Sequence, residues 1–307
     1  MTRKATTTKT AEQRREQATA LQASIAEKVD TLRDTDHWRA FLDLTRGFHH
    51  YSLNNLMLIW SQYPAATRVA GFRQWQARGR QVRKGEKAIR IFGYATKKIT
   101  DGTETPATGD DFTETDATGQ RRRVYFPILS VFDIAQTDPT DPTDPDAADG
   151  TALTQTLTGA DDLGVFAAVS DYLTADGWTV QRETLPAGLR GYTHFESRRV
   201  VIATNLEPAQ AAKTALHEAA HALLHGDLAP GEYQQHRGTY ETEAESVAYV
   251  VAGLHGLDTS AYTIGYVAKW ADADTDLIRS TAANVLRAAH TIAEAIITDP
   301  AAVDAAA

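Results

Sequence analysis

The feature that most constrains this chain is a threefold Thr-Asp-Pro repeat at residues 137–145. Proline has no backbone N–H and neighbouring aspartates repel each other, so neither a helix nor a central strand is expected to continue through the repeat. A chain of 307 residues is also long for a single hydrophobic core. We therefore predict two domains, 21–137 and 161–307, joined by a Thr-Asp-Pro linker at 138–160 and preceded by a disordered lead-in at 1–20.

The charge of the chain changes sign across the same repeat. Residues 1–136 contain 22 Lys and Arg against 15 Asp and Glu, whereas residues 137–307 contain 9 against 25. A basic first half is compatible with a nucleic-acid partner, but equally with ordinary solvation. The chain contains no cysteine, so a metal ion would need histidine and carboxylate ligands. Because neither a membrane-length apolar run nor a secretory segment is present, we expect a cytoplasmic protein without a membrane partner.

The apolar pattern predicts an α+β fold in both halves. In the first half it predicts helices at 21–32, 38–44 and 53–60, followed by strands at 86–94 and 123–132, which form a small antiparallel sheet. The second half mixes long helices with short strands. Its predicted helices are 163–175, 209–224, 240–252 and 277–297, and its predicted strands are 178–182 and 199–203.

The sequence His-Glu-Ala-Ala-His at residues 217–221 lies in one of these helices. A spacing of four residues places His217 and His221 on one helix face, where both imidazoles can bind one Zn²⁺, with Glu218 beside them as the general base. Two structural histidines in a core are the alternative interpretation. Candidate hydrogen-bond donors to a reaction oxyanion follow in the next segment: Tyr233, His236 and Tyr240.

A third metal ligand is expected from the helix at 240–252, which contains three glutamates. Glu241 and Glu245 share a face with small alanines, whereas Glu243 points elsewhere. We predict Glu241 as the ligand and Glu245 as the group that orients a ligand imidazole, although the two roles could be exchanged. A solvated acidic helix face is the alternative. Zn²⁺ is the expected ion, with Mn²⁺ or another divalent metal also compatible.

In the first half, basic, aromatic and amide side chains alternate in a way that suits a single-stranded nucleic acid. The candidates for stacking are Tyr51, Trp60 and Trp75, and those for hydrogen bonds to bases or sugars are Asn54, Asn55 and Gln62. The candidates for phosphate contacts are Arg73, Arg78, Arg80, Arg83, Lys84, Lys87 and Arg90. The same aromatic residues could instead belong to the core, and the same charges could simply be solvated.

The order of these motifs resembles a known family. The motifs are Tyr51–Asn55, Ile59–Gln62, Val69–Trp75, Gly79–Lys87 and Val131–Thr137. Together they resemble the N-terminal single-stranded-DNA-binding domain of ArdC-type antirestriction proteins and related plasmid primases. The second half resembles the zincin-like metallopeptidase domain that follows it in ArdC proteins, and more broadly the ImmA/IrrE-like peptidases.

This resemblance implies single-stranded DNA as a partner and a zinc metalloendopeptidase of the HExxH type, in an antirestriction protein of a mobile element. His217, Glu218 and His221 match the family motif directly, and Glu241 matches by its place in Glu-x-Glu-Ala-Glu. Two alternatives are a nucleic-acid-binding protein whose zinc domain is inactive, and a protease that cleaves a repressor after DNA damage. The protein substrate is left open.

Overall fold

The computed structural model describes residues 11–98, 112–115, 121–141, 164–229, 231–257 and 274–296. Most of the predicted linker, residues 142–160, lies outside these described residues, as do residues 1–10. The described residues fall into two compact units, one within Met1–Ala26 and Met57–Gly150 and the other within Glu27–Leu56 and Thr151–Ala307. We call them the N-terminal unit and the C-terminal unit.

The first half contains the three predicted helices, each with shifted bounds, and one short helix that was not predicted. They are α1 (Ala11–Thr31), α2 (Thr35–Phe48), α3 (Leu53–Gln62) and α4 (Phe72–Ala77). Helix α1 begins ten residues before Leu21, inside the segment expected to be disordered, because its Ala, Gln, Glu and Arg residues have high helix propensity. Ser52 lies directly before α3, and its hydroxyl accepts a hydrogen bond from the Asn55 amide at 3.4 Å.

The strands of the N-terminal unit form three small sheets, and every pairing is antiparallel, as predicted. The strands are β1 (Val69–Gly71), β2 (Arg80–Val82), β3 (Ile89–Phe92), β4 (Ala95–Lys98), β5 (Phe112–Thr115), β6 (Arg121–Tyr125), β7 (Ile128–Asp133) and β8 (Thr137–Pro139). The sheet orders are β1-β7-β3, β4-β6-β5 and β2-β8. The first Thr-Asp-Pro triplet therefore forms β8, where Pro139 ends a short edge strand and removes no central hydrogen bond.

Asp133 organises the end of β7. Its side chain is fully buried and accepts hydrogen bonds from the amides of Thr67, Arg68 and Ala135 at 2.7–2.9 Å. The Gln136 side chain accepts a hydrogen bond from the Asp133 amide at 2.9 Å, which closes the following 3₁₀ turn. The polar residues of the Val131–Thr137 motif thus satisfy buried backbone groups.

The C-terminal unit packs helices against a three-stranded mixed sheet. Its elements are α5 (Val165–Ala175), β9 (Thr179–Glu183), β10 (Gly191–His194), β11 (Arg199–Ala203), α6 (Pro208–His225), α7 (Glu232–Leu254) and α8 (Thr275–Ile296). Buried β11 lies in the centre, parallel to β9 and antiparallel to β10. The α+β class predicted from the sequence is confirmed.

Helix α2 belongs to this C-terminal unit. The Trp38 indole donates a hydrogen bond to Ser246 on α7 at 3.0 Å, and the Tyr249 hydroxyl of α7 donates one to Asp43 at 2.6 Å. A Cβ atom at Gly253 would lie 2.3 Å from the Arg46 side chain, so glycine allows this close approach. The contacts thus place residues 27–56 with the second half of the chain, whereas the sequence places them in the first domain. The domain boundaries from the sequence stay predictions. Among the described helices, none is long and apolar enough to cross a membrane.

Candidate metal centre and nucleic-acid surface

Helix α6 presents His217, Glu218 and His221 from a tightly packed apolar helix. Pro208 occupies its first turn, where a missing N–H costs nothing, and its alanines pack closely against neighbouring elements. Gly226, which ends the helix, has a right-handed φ of −62°. A Cβ atom there would lie 3.3 Å from the Trp178 ring, and glycine provides that space.

Helix α7 brings Glu241 next to the two histidines. The Nε2 atoms of His217 and His221 lie 3.0 Å apart. Glu241 Oε2 lies 3.4 Å from the first and 3.7 Å from the second. One ligand atom from each of these residues lies within 4.8 Å of the other two, which is the spacing of a site that can hold one metal ion. Two imidazoles and a carboxylate, with a fourth position open, suit a catalytic Zn²⁺ or a related divalent ion.

Glu245 lies on the opposite side of the His217 ring. Its Oε2 is 3.2 Å from His217 Nδ1, close enough for an ion pair but not aligned as a hydrogen bond. The other carboxylate oxygen of Glu245, Oε1, lies 3.9 Å from Lys213 Nζ. Glu241 and Glu245 therefore face different nitrogens of one imidazole.

A buried chain of polar groups supports His221 from behind, and we did not predict it from the sequence. Its Nδ1 lies 3.0 Å from His225 Nδ1, and His225 Nε2 lies 2.9 Å from Glu243 Oε2. Asn284 on α8 donates to the other Glu243 oxygen at 2.8 Å. Both His225 and Glu243 are buried. A third histidine at a spacing of four residues after His221 was the available signal.

Burial and neighbouring charges separate the protonation of the two histidines. Burial alone would lower the pKa of His217, but the neighbouring carboxylates of Glu241 and Glu245 outweigh it and raise that pKa to about 10. Burial lowers the pKa of His221 to about 4. Hydrogen bonds with His217 and then His221 hold the pKa of Glu241 below its usual range. A metal ion would compete with protons for these three groups.

Glu218 faces the sheet and a cleft. Thr193 on β10 donates a hydrogen bond to Glu218 Oε2 at 2.7 Å, and burial raises the Glu218 pKa. A Cβ atom at Gly191 would lie 3.2 Å from Glu218 Oε1 and 2.8 Å from the Thr214 side chain. The adjacent cleft of about 290 Å³ is lined by Gly188, Arg190, Gly191, Gln210, Lys213, Thr214, His217, Glu218 and Glu245.

The three candidate oxyanion donors differ in position. The Tyr233 hydroxyl donates to Glu241 Oε1 at 3.0 Å, and its ring packs 5.6 Å from that of His221. The Tyr240 hydroxyl donates to Glu232 at 3.3 Å, away from the ligand atoms. His236 is exposed at a kink in α7. Only Tyr233, of these three, lies at the metal centre.

Several residues considered for DNA contacts instead support the fold. Trp60 and Trp75 are buried, and the Trp75 indole donates to the Phe132 carbonyl at 2.8 Å. Arg80 is buried and donates to the Thr137 hydroxyl at 2.7 Å. The Gln62 side chain exchanges two hydrogen bonds with the Arg90 backbone, at 2.8 and 2.9 Å.

Three candidates for nucleic-acid contacts, Tyr51, Asn54 and Asn55, belong to the C-terminal unit and lie near α2 and α8. The half-buried Tyr51 ring packs edge-on to Phe48 with centroids 5.8 Å apart. Asn54 is exposed and accepts a hydrogen bond from Arg279 at 3.4 Å. Asn55 is half-buried at the first turn of α3.

Of the remaining basic candidates, Arg83 and Lys84 line a cleft of about 820 Å³ in the N-terminal unit. Arg73, Lys84 and Lys87 are exposed. Arg83 is exposed too, but forms ion pairs with Glu86 at 3.0 Å and Asp138 at 3.2 Å. The cleft is lined by Phe72, Gln81, Val82, Arg83, Lys84, Glu86, Phe132 and Asp138. We call this surface the basic cleft.

Phe72 is the residue of the basic cleft that the sequence analysis missed. Its ring is 43% exposed at the first position of α4. Gly85, with φ of +94°, forms the turn that carries Lys84, a conformation that favours glycine. An exposed ring beside a lysine is an arrangement that can stack on a base and contact a phosphate.

Two family models match separate parts of the chain. Residues 11–132 match the N-terminal domain of the anti-restriction factor ArdC, and residues 176–261 match the IrrE N-terminal-like domain. An uncharacterized protein of Bacillus anthracis is 24% identical over 263 residues, which are 75% of this chain and 42% of the relative. The chain thus spans less than half the length of that relative.

Two crystal structures of the antirestriction protein ArdC from plasmid R388 are also similar. The metal-free form has a TM-score of 0.42 and 20% identity and covers 80% of this chain and 84% of its own. The Mn(II)-bound form has a TM-score of 0.44 and 19% identity and covers 84% and 98%. The matched regions confirm the resemblance: residues 11–132 are similar to the ArdC N-terminal domain, and residues 176–261 are similar to the IrrE-like domain of M78 peptidases.

Proposed function

We propose that the protein is a metal-dependent peptide hydrolase coupled to a single-stranded-DNA-binding region, and that it acts in antirestriction. The observation that carries the enzymatic part is the convergence of His217, His221 and Glu241 beside Glu218. The matches to the ArdC and IrrE-like domains support the same assignment.

The bound ion, Zn²⁺ or Mn²⁺, would supply Lewis acidity that polarises the peptide carbonyl and the attacking water. Glu218 accepts the proton of that water and returns it to the leaving amine. Its buried position and raised pKa favour this exchange, and the hydrogen bond from Thr193 orients its carboxylate. Glu245 orients the His217 imidazole, and His225 with Glu243 orients that of His221. The cleft beside Glu218 provides room for the peptide.

The basic cleft is the proposed contact for single-stranded DNA. Lys84, together with nearby Arg73 and Lys87, supplies accessible positive charge, and Phe72 supplies an exposed ring. Arg83 contributes less, because Glu86 and Asp138 already neutralise it. Trp75 and Arg80 are not assigned to this contact, since both are buried.

The decisive experiment compares the wild-type protein with Glu218→Gln, after loading each with Zn²⁺ or Mn²⁺. Cleavage of an unstructured peptide mixture, followed by mass spectrometry, should fall by about 10²–10⁴-fold in the variant, because the general base is lost. Glu196→Gln, an exposed glutamate in the same unit, is the control and should keep full activity.

Binding to labelled single-stranded DNA, measured on the same variants, separates the alternatives. A wild-type protein that binds DNA but cleaves no peptide would indicate an inactive metal domain. Cleavage of a defined repressor, rather than of unstructured peptides, would favour the damage-responsive protease. Absence of DNA binding would remove the nucleic-acid part of the proposal and leave the hydrolase.

A further inference from the structure

The C-terminal unit contains a second group of metal-ligating side chains, formed by His49, His50, His290 and Glu294. We call it the α2–α8 cluster. His49 ends α2 and His50 follows it, whereas His290 and Glu294 lie one turn apart on α8. Each of the four offers one ligand atom, and all four atoms lie within 4.8 Å of one another. None of these residues belongs to the centre at His217.

Distances within the cluster fit a site for one ion. Glu294 Oε1 lies 3.6 Å from His50 Nδ1 and 4.0 Å from His49 Nε2. The rings of His49 and His50 are 3.8 Å apart, and that of His290 lies 5.2 Å from His50. Ligand atoms bound to one tetrahedral Zn²⁺ are separated by roughly 3.4 Å, given bonds of about 2.0–2.1 Å. Small side-chain rotations would close the site.

The buried imidazoles present nitrogen atoms whose hydrogen-bonding capacity is unused. The side chain of His49 is only 10% exposed, and its Nδ1 lies 3.3 Å from the Arg46 carbonyl oxygen, which favours the tautomer protonated at Nδ1. The lone pair of Nε2 then faces the cluster, and within the described residues this buried atom has no hydrogen-bond partner. The same holds for the buried Nδ1 of His290. Unpartnered buried nitrogens are costly, and a metal ion would satisfy them.

Electrostatics also favour a cation here. His49 and His50 both lie within 4.0 Å of the Glu294 carboxylate. Both residues lie at the C-terminal end of α2, where the helix dipole is negative. The Glu294 carboxylate adds a negative ligand.

From this geometry we propose that His49, His50, His290 and Glu294 form a second divalent-metal site that binds Zn²⁺ and fastens the end of α2 to α8. Three imidazoles and one carboxylate would fill a tetrahedral shell and leave no open position for a substrate, as in a structural zinc site. The site would hold together segments of the C-terminal unit that are about 240 residues apart in the sequence. It does not depend on the hydrolase proposed above.

The test removes the metal ligands at His217 and His221 and then measures Zn²⁺ binding to the α2–α8 cluster. The full chain carrying His217→Ala and His221→Ala is freed of metal by chelation, and Zn²⁺ binding is followed by calorimetry. We expect about one Zn²⁺ per chain, bound at least tenfold more weakly after His50→Ala and Glu294→Gln are added. These two side chains are 36% and 33% exposed, so their replacement leaves the apolar core in place. His37→Ala, an exposed histidine on α2, is the matched control and should bind as before.

A second measurement does not use the substitutions at His217 and His221. In the otherwise wild-type protein, zinc content by elemental analysis should fall from about two per chain to about one when His50→Ala and Glu294→Gln are introduced. Peptide hydrolysis at Glu218 is not part of this readout. The proposal is overturned if the chain carrying His217→Ala and His221→Ala binds no Zn²⁺, or if His50→Ala with Glu294→Gln leaves its Zn²⁺ bound.

Discussion

The metal centre and the basic cleft are built in opposite ways. At the metal centre, His221, His225 and Glu243 are buried on long helices and contact one another at fixed distances. In the basic cleft, Phe72 and Lys84 are exposed on a short helix and a turn. Function at the first depends on geometry held by the core, whereas function at the second depends on accessible charge and ring surface.

This difference decides how far residue type alone identifies a functional residue. Every side chain that contacts a metal must converge on one point, so His217, His221 and Glu241 form a set that the fold either brings together or does not. A nucleic-acid surface needs no such convergence, and a basic or aromatic residue can equally satisfy the fold. Trp75 and Arg80 illustrate the second case.

The largest effect is expected from Trp75→Ala. Trp75 is 1% exposed and packs with Ala70 and Val82, so its removal should destabilise the N-terminal unit by about 3–5 kcal/mol. Thermal unfolding measured by calorimetry should show one transition strongly lowered. Phe72→Ala is the matched comparison: this exposed ring should cost little stability but weaken single-stranded DNA binding. If Trp75→Ala left the unfolding temperature unchanged but abolished DNA binding, Trp75 rather than Phe72 would be the residue that contacts DNA.

At the metal centre, Glu241→Gln should weaken metal binding more than Glu245→Gln. Glu241 lies near Nε2 of both histidines, whereas Glu245 lies near Nδ1 of His217 only. We expect about a 100-fold or greater loss of affinity for the first substitution and about 10-fold for the second, as measured by competition with a chelating dye. Equal losses, or the reverse order, would show that Glu245 is the ligand.

Removing the support behind His221 should have an intermediate effect. Glu243→Gln keeps the shape of the side chain but replaces the carboxylate that faces His225, so metal affinity should fall by about 10-fold. Glu232→Gln, on the same helix but bonded to Tyr240 at 3.3 Å, serves as the control and should retain metal. Metal binding that is unchanged in Glu243→Gln would restrict the polar chain to a role in folding.

The smallest effect is expected from Lys84→Ala. Loss of one phosphate contact should reduce single-stranded DNA affinity a few-fold and lower the slope of log K against log salt by about 0.7. Fluorescence anisotropy at several salt concentrations measures both quantities. Arg287→Ala, an exposed arginine on α8, removes the same charge elsewhere and should leave the slope unchanged. An identical decrease in both variants would mean that net charge, rather than the basic cleft, controls binding.

Much of the fold followed from local sequence patterns. The alternation in 86–94 and 123–132 predicted strands that the structure pairs through Ile89 and Val131. The strand predicted at 199–203 has the same bounds in the structure. Local patterns predicted these elements because one face of each must be apolar to be buried. They could not show that α2 packs on α7, since Trp38 would be apolar and buried against any partner.

The candidate metal centre was partly accessible from the sequence. The spacing of His217 and His221 alone places both imidazoles on one side of α6, because a helix turn has 3.6 residues. His225, four residues after His221, is 2% exposed and hydrogen-bonded to Glu243, and its spacing alone did not reveal that contact. The rotation of α7 about its own axis decides which glutamate faces α6, and packing along the whole helix sets that rotation.

The sequence by itself determined the α+β class, the helical spacing of His217 and His221, and the ArdC-like order of the motifs. The tertiary structure decided the rest. It turned Glu243 inward to His225, placed Trp75 in the core, and brought His49 and His50 to Glu294. The physical reason is that periodicity acts over a few residues, whereas these contacts depend on how distant elements pack against each other.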